Sequence, residues 1–205
     1  MIISIVNHKG GTGKTTTTIN LGSALAAQGH RVLLVDFDAQ GSLSYSLGID
    51  DSLPTIADAL VDEVPIHQII QQRESMDILP ASSSLADVEL AIAKADEHYH
   101  HLKTMLSGLT CYDFILIDCA PSLSLLTLNA LTASDFVIVP MQMDVLALRG
   151  LDSMLETVKN ANRINPHLTV LGILTVMADT RKNMYQEIVN HIKTCLLYTS
   201  PSPRD

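Results

Sequence analysis

Short apolar runs alternate with longer amphipathic stretches along most of this 205-residue chain. Apolar runs of this length are typical of buried β-strands, and we expect strands at 2–6, 32–35, 76–79, 114–117, 136–139 and 170–176. Helical spacing predicts helices at 15–28, 55–61, 85–106, 123–131, 145–160 and 183–194. Strands that alternate with helices join through right-handed crossovers into parallel sheets. The pattern therefore predicts an α/β fold, a mostly parallel sheet with helices on both faces in a single domain.

The periodic pattern stops near residue 194. The last eleven residues, CLLYTSPSPRD, are rich in Ser and Pro and carry no period. They look like the translation of a transposase-type sequencing adapter, so we leave 195–205 out of the fold and expect the segment to be disordered. A natural disordered tail is the alternative. We expect the domain to span 1–194 and to be incomplete at its C-terminus, because the pattern breaks off inside a helix.

Composition narrows the class of protein. Hydrophobic residues make up 47% of the chain and aromatic residues only 4%, so an aliphatic core is expected. The net charge of -9 excludes a surface that is generally attractive to DNA or anionic lipid, and any such contact needs a local patch. The three cysteines show neither metal-site spacing nor the density of a disulfide scaffold. We therefore expect a cytoplasmic protein with no membrane attachment.

A glycine-rich segment, NHKGGTGKTT at 7–16, stands between the first strand and the first helix. This is the context of a phosphate-binding P-loop, in which backbone N–H groups and a helix N-terminus face phosphate oxygens. The lysine neutralises phosphate charge, and the following threonine hydroxyl can ligate Mg²⁺. The expected nucleotide-binding residues are Gly10, Gly11, Thr12, Gly13, Lys14, Thr15 and Thr16. The fold expected is thus P-loop NTPase-like.

The loop departs from the regular Walker A pattern. His8 stands where G-x-x-x-x-G-K-[ST] has glycine, and the match is to the deviant form K-G-G-x-G-K-T-[ST], with Lys9 five residues before Lys14. On these residues the chain resembles the deviant Walker A ATPases, which include ParA/Soj partition proteins, MinD and nitrogenase iron protein. The resemblance implies ATP and Mg²⁺ as cofactors. It also implies that Lys9 reaches the partner's phosphates in a nucleotide-sandwich dimer, a catalytic role shared with Lys14.

Carboxylates follow two of the predicted strands. Ligands of α/β proteins bind at the carboxyl edge of the sheet, so Asp118 is expected to be the Walker B residue that holds Mg²⁺; an N-cap role is the alternative. Asp38 resembles the family's catalytic aspartate, which orients the attacking water near the metal, and Asp36 is expected to support the loop. A turn-forming pair is the alternative for both. Ala39 and Ser42 depart from the family pattern V-D-x-D-P-Q-G-N.

Further segments resemble the ParA/Soj branch: IDCAPSL at 117–123, NALTASD at 129–135, VP at 139–140, ALRGL at 147–151 and GILT at 172–175. The resemblance covers about 2–194. It implies an ATP hydrolase that dimerises on binding ATP, binds non-specific DNA and is reset when a ParB-like partner stimulates hydrolysis, in chromosome or plasmid segregation on the nucleoid. Arg181 matches a DNA-contacting arginine of the family; an exposed helix-start arginine is the alternative.

The sequence is compatible with two other functions. The first is a MinD-like ATPase that cycles on and off a membrane through a C-terminal amphipathic helix. The second is an enzyme that uses the same loop to phosphorylate or ligate a small molecule. A requirement for a small acceptor, instead of DNA and a protein activator, would distinguish the second.

Overall fold

A computed structural model describes residues 1–50, 53–62, 64–94, 98–143, 147–178, 181, 188–190 and 192. The strands are β1 (Ile2–Ile5), β2 (Val32–Phe37), β3 (Gln71–Arg73), β4 (Met76–Leu79), β5 (Phe114–Cys119), β6 (Phe136–Gln142) and β7 (Thr169–Val176). The helices are α1 (Lys14–Ala27), α2 (Ser42–Ser46), α3 (Ile56–Val61), α4 (Ile66–Ile69), α5 (Leu85–Ile92), α6 (His101–Leu106), α7 (Leu125–Ala133) and α8 (Ala147–Ala161). The segment 195–205 lies outside the described residues.

The seven strands of the described residues form one sheet in the order β3-β4-β2-β5-β1-β6-β7, parallel except for β3 at one edge. Successive residues of β2 face opposite sides, because side chains alternate across a strand. Leu34 packs on the side covered by α1 and α2, whereas Leu33 and Val35 join the larger core beneath α3, α5, α6, α7 and α8. The predicted α/β fold with helices on both faces is confirmed.

The helix expected at 85–106 is divided into α5 and α6. The buried amide of Asn129 on α7 explains how α6 begins: Nδ2 donates to the carbonyl oxygen of His98 at 2.7 Å, and Oδ1 accepts from the backbone N–H of Leu102 at 3.4 Å. These backbone groups are therefore satisfied by a tertiary contact at the start of α6. No helix in the described part of the chain is long and apolar enough to cross a bilayer.

Candidate functional site

The glycine-rich loop connects β1 to α1 at the carboxyl edge of the sheet. Gly11 and Gly13 have φ values of +72° and +77°, the left-handed region that glycine enters without steric cost. Gly13 is the N-cap of α1, so the open end of that helix faces the loop. A Cβ added at Gly10 or Gly11 would meet no atom within 4 Å. The loop is therefore an exposed backbone cradle beside a helix N-terminus, which suits an anion.

Side chains from other elements hold this loop in place. Asn7 donates from Nδ2 to the carbonyl oxygen of Pro140 at 2.6 Å and accepts at Oδ1 from the N–H of Lys9 at 2.9 Å. Gln142 donates from Nε2 to the carbonyl oxygen of Gly11 at 3.2 Å. Neither Asn7 nor Gln142 was predicted to be functional, because nothing in their local sequence indicates contacts to residues so distant along the chain.

Lys14 lies at the start of α1 and is 7% exposed. Its Nζ donates to the carbonyl oxygen of Lys9 at 3.3 Å, a long hydrogen bond that an ammonium can exchange for a stronger acceptor. Burial lowers the pKa of Lys14, and the nearby charges of Asp118 and Asp38 oppose that shift. The side chain of Lys9 is exposed, unlike that of Lys14.

Asp118 lies next to the loop, near the end of β5. Asp118 is 1% exposed, and its Oδ1 has no hydrogen-bond partner among the described residues. Burial raises the pKa of Asp118 to about 7; a hydrogen bond from the Thr15 hydroxyl and the charge of Lys14 lower it, whereas the charges of Asp36 and Asp38 raise it. A buried carboxylate oxygen without a partner is costly unless it binds a cation.

Asp36 pairs with Asp118 in the β2–β5 register, yet its partners differ. Its Oδ2 accepts from the N–H of Ser44 at 2.8 Å and from the Ser44 hydroxyl at 2.7 Å. Burial raises the pKa of Asp36 to about 6, while these bonds and one from the Asp38 N–H oppose the shift. Ser44 Oγ also accepts from the N–H of Ala81 at 3.1 Å. Asp36 thus ties the loop after β2 to the segment after β4.

Asp38 is only half-buried and lies in the loop that Asp36 anchors. Its Oδ1 accepts from the N–H of Gln40 at 2.9 Å, and its carbonyl oxygen accepts from the N–H of Gly41 at 2.9 Å. This is the turn-forming arrangement considered from the sequence. The charge of Asp38 also acts on Lys14 and Asp118, so the same carboxylate belongs to the electrostatic environment of the P-loop.

The donor set fits Mg²⁺ bound together with phosphates. Within the described ranges, no three His, Cys, Asp or Glu side chains are grouped closely enough to hold a metal. Mg²⁺ in nucleotide sites needs only one or two protein oxygens, since phosphates and water supply the rest. The Thr15 hydroxyl and the Asp118 carboxylate, with its unpartnered oxygen, meet that requirement, and Asp38 is near enough to influence Asp118 electrostatically.

Arg181 lies apart from the P-loop in the chain, five residues after the end of β7. The structure places it in a turn with an exposed side chain. Residues 179, 180 and 182–187 lie outside the described residues, so the basic neighbour at 182 does too. A role for Arg181 in DNA binding stays a prediction.

Comparisons with known proteins extend this picture. A family model described as "AAA domain" matches residues 1–170. The Sporulation initiation inhibitor protein Soj of Bacillus subtilis is 43% identical over 198 residues, which cover 94% of this chain and 78% of the relative. The Chromosome partitioning protein ParA of Caulobacter vibrioides is 38% identical over 200 residues, covering 94% and 75%.

A solved structure is similar to this chain in both fold and sequence. It is named cobyrinic acid a,c-diamide synthase from Mycobacterium smegmatis, with bound ADP and magnesium, and it superposes with a TM-score of 0.88 at 39% identity, covering 94% of this chain and 81% of that one. The matches to Soj and ParA extend over nearly the whole chain, as did the resemblance found from its motifs. The chain therefore belongs to the ParA/Soj-type partition ATPases of the MinD/ParA superfamily.

Proposed function

We propose that this protein is an ATP-hydrolysing partition switch. In this proposal Mg²⁺ and ATP bind at the P-loop, ATP binding drives formation of a sandwich homodimer, and the dimer binds non-specific DNA on the nucleoid. A ParB-like partner stimulates hydrolysis, which releases the protein from DNA and resets it. The cargo is a chromosome or a plasmid.

The observation that carries the proposal is the pairing of an open glycine cradle with a buried, incompletely bonded carboxylate. Asp118 Oδ1 has no partner among the described residues, and the Thr15 hydroxyl and the Lys14 ammonium lie in its immediate environment. A structural aspartate would be expected to satisfy both oxygens, as Asp36 does with Ser44 and the Asp38 N–H. The relatives named Soj and ParA support partition as the purpose of this nucleotide site.

Each residue of the proposed site has its own role in phosphoryl transfer. The N–H groups of the loop and the N-terminus of α1 bind the phosphates, and Lys14 stabilises the charge that develops on them. Mg²⁺, when bound, neutralises phosphate charge, and Thr15 and Asp118 are the residues that would hold it. Asp38 orients the attacking water. Lys9 supplies a further positive charge to the phosphates of the partner subunit, as an arginine finger does.

Replacing Lys9 tests the dimer. We expect Lys9→Ala to bind ATP but to remain monomeric with ATP and Mg²⁺ in sedimentation velocity, and to lose at least about tenfold in ATP turnover, because charge supplied in trans contributes to the rate. Lys14→Ala is expected to lose nucleotide binding itself. Lys159→Ala, an exposed lysine on α8, is the matched control. Dimerisation and turnover of Lys9→Ala equal to those of the control would refute the proposal.

The second candidate function is a P-loop enzyme that acts on a small-molecule acceptor. The specific observation in its favour is the name of the Mycobacterium smegmatis structure, a cobyrinic acid a,c-diamide synthase 39% identical to this chain. The two candidates make opposite predictions about what stimulates ATP turnover. A partition switch responds to DNA and a protein activator, whereas an amide-forming synthase responds to a carboxylic acid acceptor with an ammonia donor.

Turnover should therefore be measured with each stimulant alone and with both. Stimulation by double-stranded DNA of unrelated sequences, together with a ParB-type protein, supports partition. Stimulation by cobyrinic acid with glutamine or ammonia, with formation of an amide, would replace the partition proposal by the second candidate.

A further inference from the structure

Two observations place the P-loop beside the end of β7. Gln142, the last residue of β6, donates from Nε2 to the carbonyl oxygen of Gly11 at 3.2 Å, and the same nitrogen lies 3.2 Å from the sulfur of Met177. The second concerns Gly13, where an added Cβ would lie 3.9 Å from Cγ1 of Val176. Gln142 and Val176 are also partners in the last position of the β6–β7 register.

Met177 has an unusual conformation for a methionine. Its φ is +51°, in the left-handed region, and its side chain is 79% exposed. A non-glycine residue adopts this conformation only where its surroundings hold it there. The Met177 sulfur accepts a hydrogen bond from Gln142, a side chain that also bonds to the P-loop. Arg181, the proposed DNA contact, follows Met177 by four residues.

The carbonyl that Gln142 bonds belongs to a residue with little steric restraint. Gly11 has a φ of +72° and no side chain, and no atom lies within 4 Å of where a Cβ would be. No side chain of Gly11 therefore opposes a rotation of its peptide groups on phosphate binding. An amide has two N–H donors, and here they are shared between the P-loop and the turn after β7. A change at one acceptor changes the geometry available to the other.

We propose that Gln142 is a positioning residue that couples the P-loop to the turn at Met177, so that nucleotide bound at Gly11 and Gly13 alters the segment that leads to Arg181. The coupling to DNA rests on the proposed function; the coupling to the turn at Met177 does not. Gln142 itself does not touch the substrate in this role. It transmits the state of the loop through its two hydrogen bonds.

The test compares wild type with Gln142→Met, which has a similar length, no charge and no donor. Gln72→Met on the exposed edge strand β3 is the matched control. Hydrogen exchange of the amides at 174–178 is measured with and without saturating ATPγS and Mg²⁺. We expect nucleotide to change exchange of this segment by at least about fivefold in wild type and Gln72→Met, since that is the lower range of coupling between sites. In Gln142→Met we expect that change to be lost.

A second readout is the ratio of DNA dissociation constants with ADP and with ATPγS. We expect Gln142→Met to reduce this ratio by at least about fivefold, more than it weakens ATPγS binding. A purely structural role would instead lower stability without changing the ratio. Met177→Gly, which adopts a positive φ without strain and lacks the sulfur, is the second variant and is expected to lose the coupling in the same way.

The outcomes separate the two proposals. Exchange at 174–178 that responds to nucleotide equally in wild type, Gln142→Met and Met177→Gly would overturn the coupling, as would the lack of any response in wild type. Should wild type bind no DNA with either nucleotide, the partition proposal fails, and the exchange measurement still decides whether Gln142 links the loop to the turn.

Discussion

Replacing Asp118 with asparagine should stabilise the nucleotide-free protein at alkaline pH while abolishing its function. Burial raises the pKa of this carboxyl from 3.8 to about 7. The native state therefore binds the proton more tightly than the unfolded chain does. The contribution of Asp118 to the free energy of unfolding must then fall as the pH rises from 3.8 towards 7, and it stays at the lower value above that. The asparagine side chain cannot ionise, so the variant escapes this loss.

The expected magnitude follows from the size of the shift. A change from 3.8 to about 7 corresponds to roughly 4 kcal/mol at about 1.4 kcal/mol per pKa unit. Between pH 5 and pH 8 the wild type loses roughly 2–3 kcal/mol of this, because part of the loss occurs below pH 5. The buried amide has a desolvation cost of its own, about 1–3 kcal/mol. That cost is the same at both pH values and cancels from the comparison.

The assay is urea denaturation of wild type and Asp118→Asn at pH 5 and pH 8, in EDTA and without nucleotide. The difference in unfolding free energy, variant minus wild type, should be roughly 2–3 kcal/mol larger at pH 8. Asp87→Asn, at an exposed position on α5, is the control and should stay within about 0.5 kcal/mol at both values. An equal difference at the two pH values would show that Asp118 is not a destabilised buried acid.

The remaining predictions concern packing, capping and DNA binding. Gly22→Ala places a methyl group 2.6 Å from Leu34 Cδ2 and should lower the unfolding free energy by up to about 2 kcal/mol, since overpacking outweighs the gain in helix propensity. Gly150 lies on α8, and no atom of another part of the protein lies within 4 Å of a Cβ added there, so Gly150→Ala should instead raise the unfolding free energy by up to about 1 kcal/mol. Urea denaturation measures both variants, and equal effects would contradict the packing argument. Asp58→Ala removes the carboxylate that accepts a 2.6 Å bond from the N-cap of α3 and should cost about 1 kcal/mol in the same assay. Arg181→Ala should weaken binding to unrelated DNA sequences equally and reduce the slope of log K against log salt concentration by about one, measured by fluorescence anisotropy; an effect confined to one sequence would exclude phosphate contact.

The six predicted strands are all present because each contains a continuous apolar run, a signal that needs no knowledge of neighbours. Buried parallel strands typically produce such runs, and β7 shows one although it lies at the edge of the sheet and is only partly buried. Strand β3 could not be found in this way: its sequence is Gln-Gln-Arg, and only pairing with β4 makes it a strand. The break between α5 and α6 is of the same kind. Helical spacing at 85–106 is local, whereas the Asn129 amide that bonds the start of α6 comes from a later helix.

The candidate site likewise contains some residues that the local sequence predicts and others that it does not. Gly11, Gly13 and Lys14 lie close together in one loop, so their spacing in the sequence alone predicts a phosphate-binding loop. Ser44 and Gln142 bond to groups remote in sequence, namely the N–H of Ala81 and the carbonyl of Gly11. A polar residue of this type is common at the end of a strand or in a short helix. Its partner becomes visible only when the sheet brings the two elements together.

Burial shifts the pKa values of three groups at the carboxyl edge of the sheet. The pKa of Asp118 and of Asp36 is raised and that of Lys14 is lowered, so each group lies where burial disfavours its charged form. Such a site gives up stability for binding, as active sites commonly do. Ligand that binds only the native state returns stability, about 2.7 kcal/mol at 100 times its Kd. Wild type should therefore gain stability from Mg²⁺ with ATPγS, whereas Asp118→Asn, although more stable alone at pH 8, should gain little; an equal gain in both would show that the carboxylate does not hold the cation.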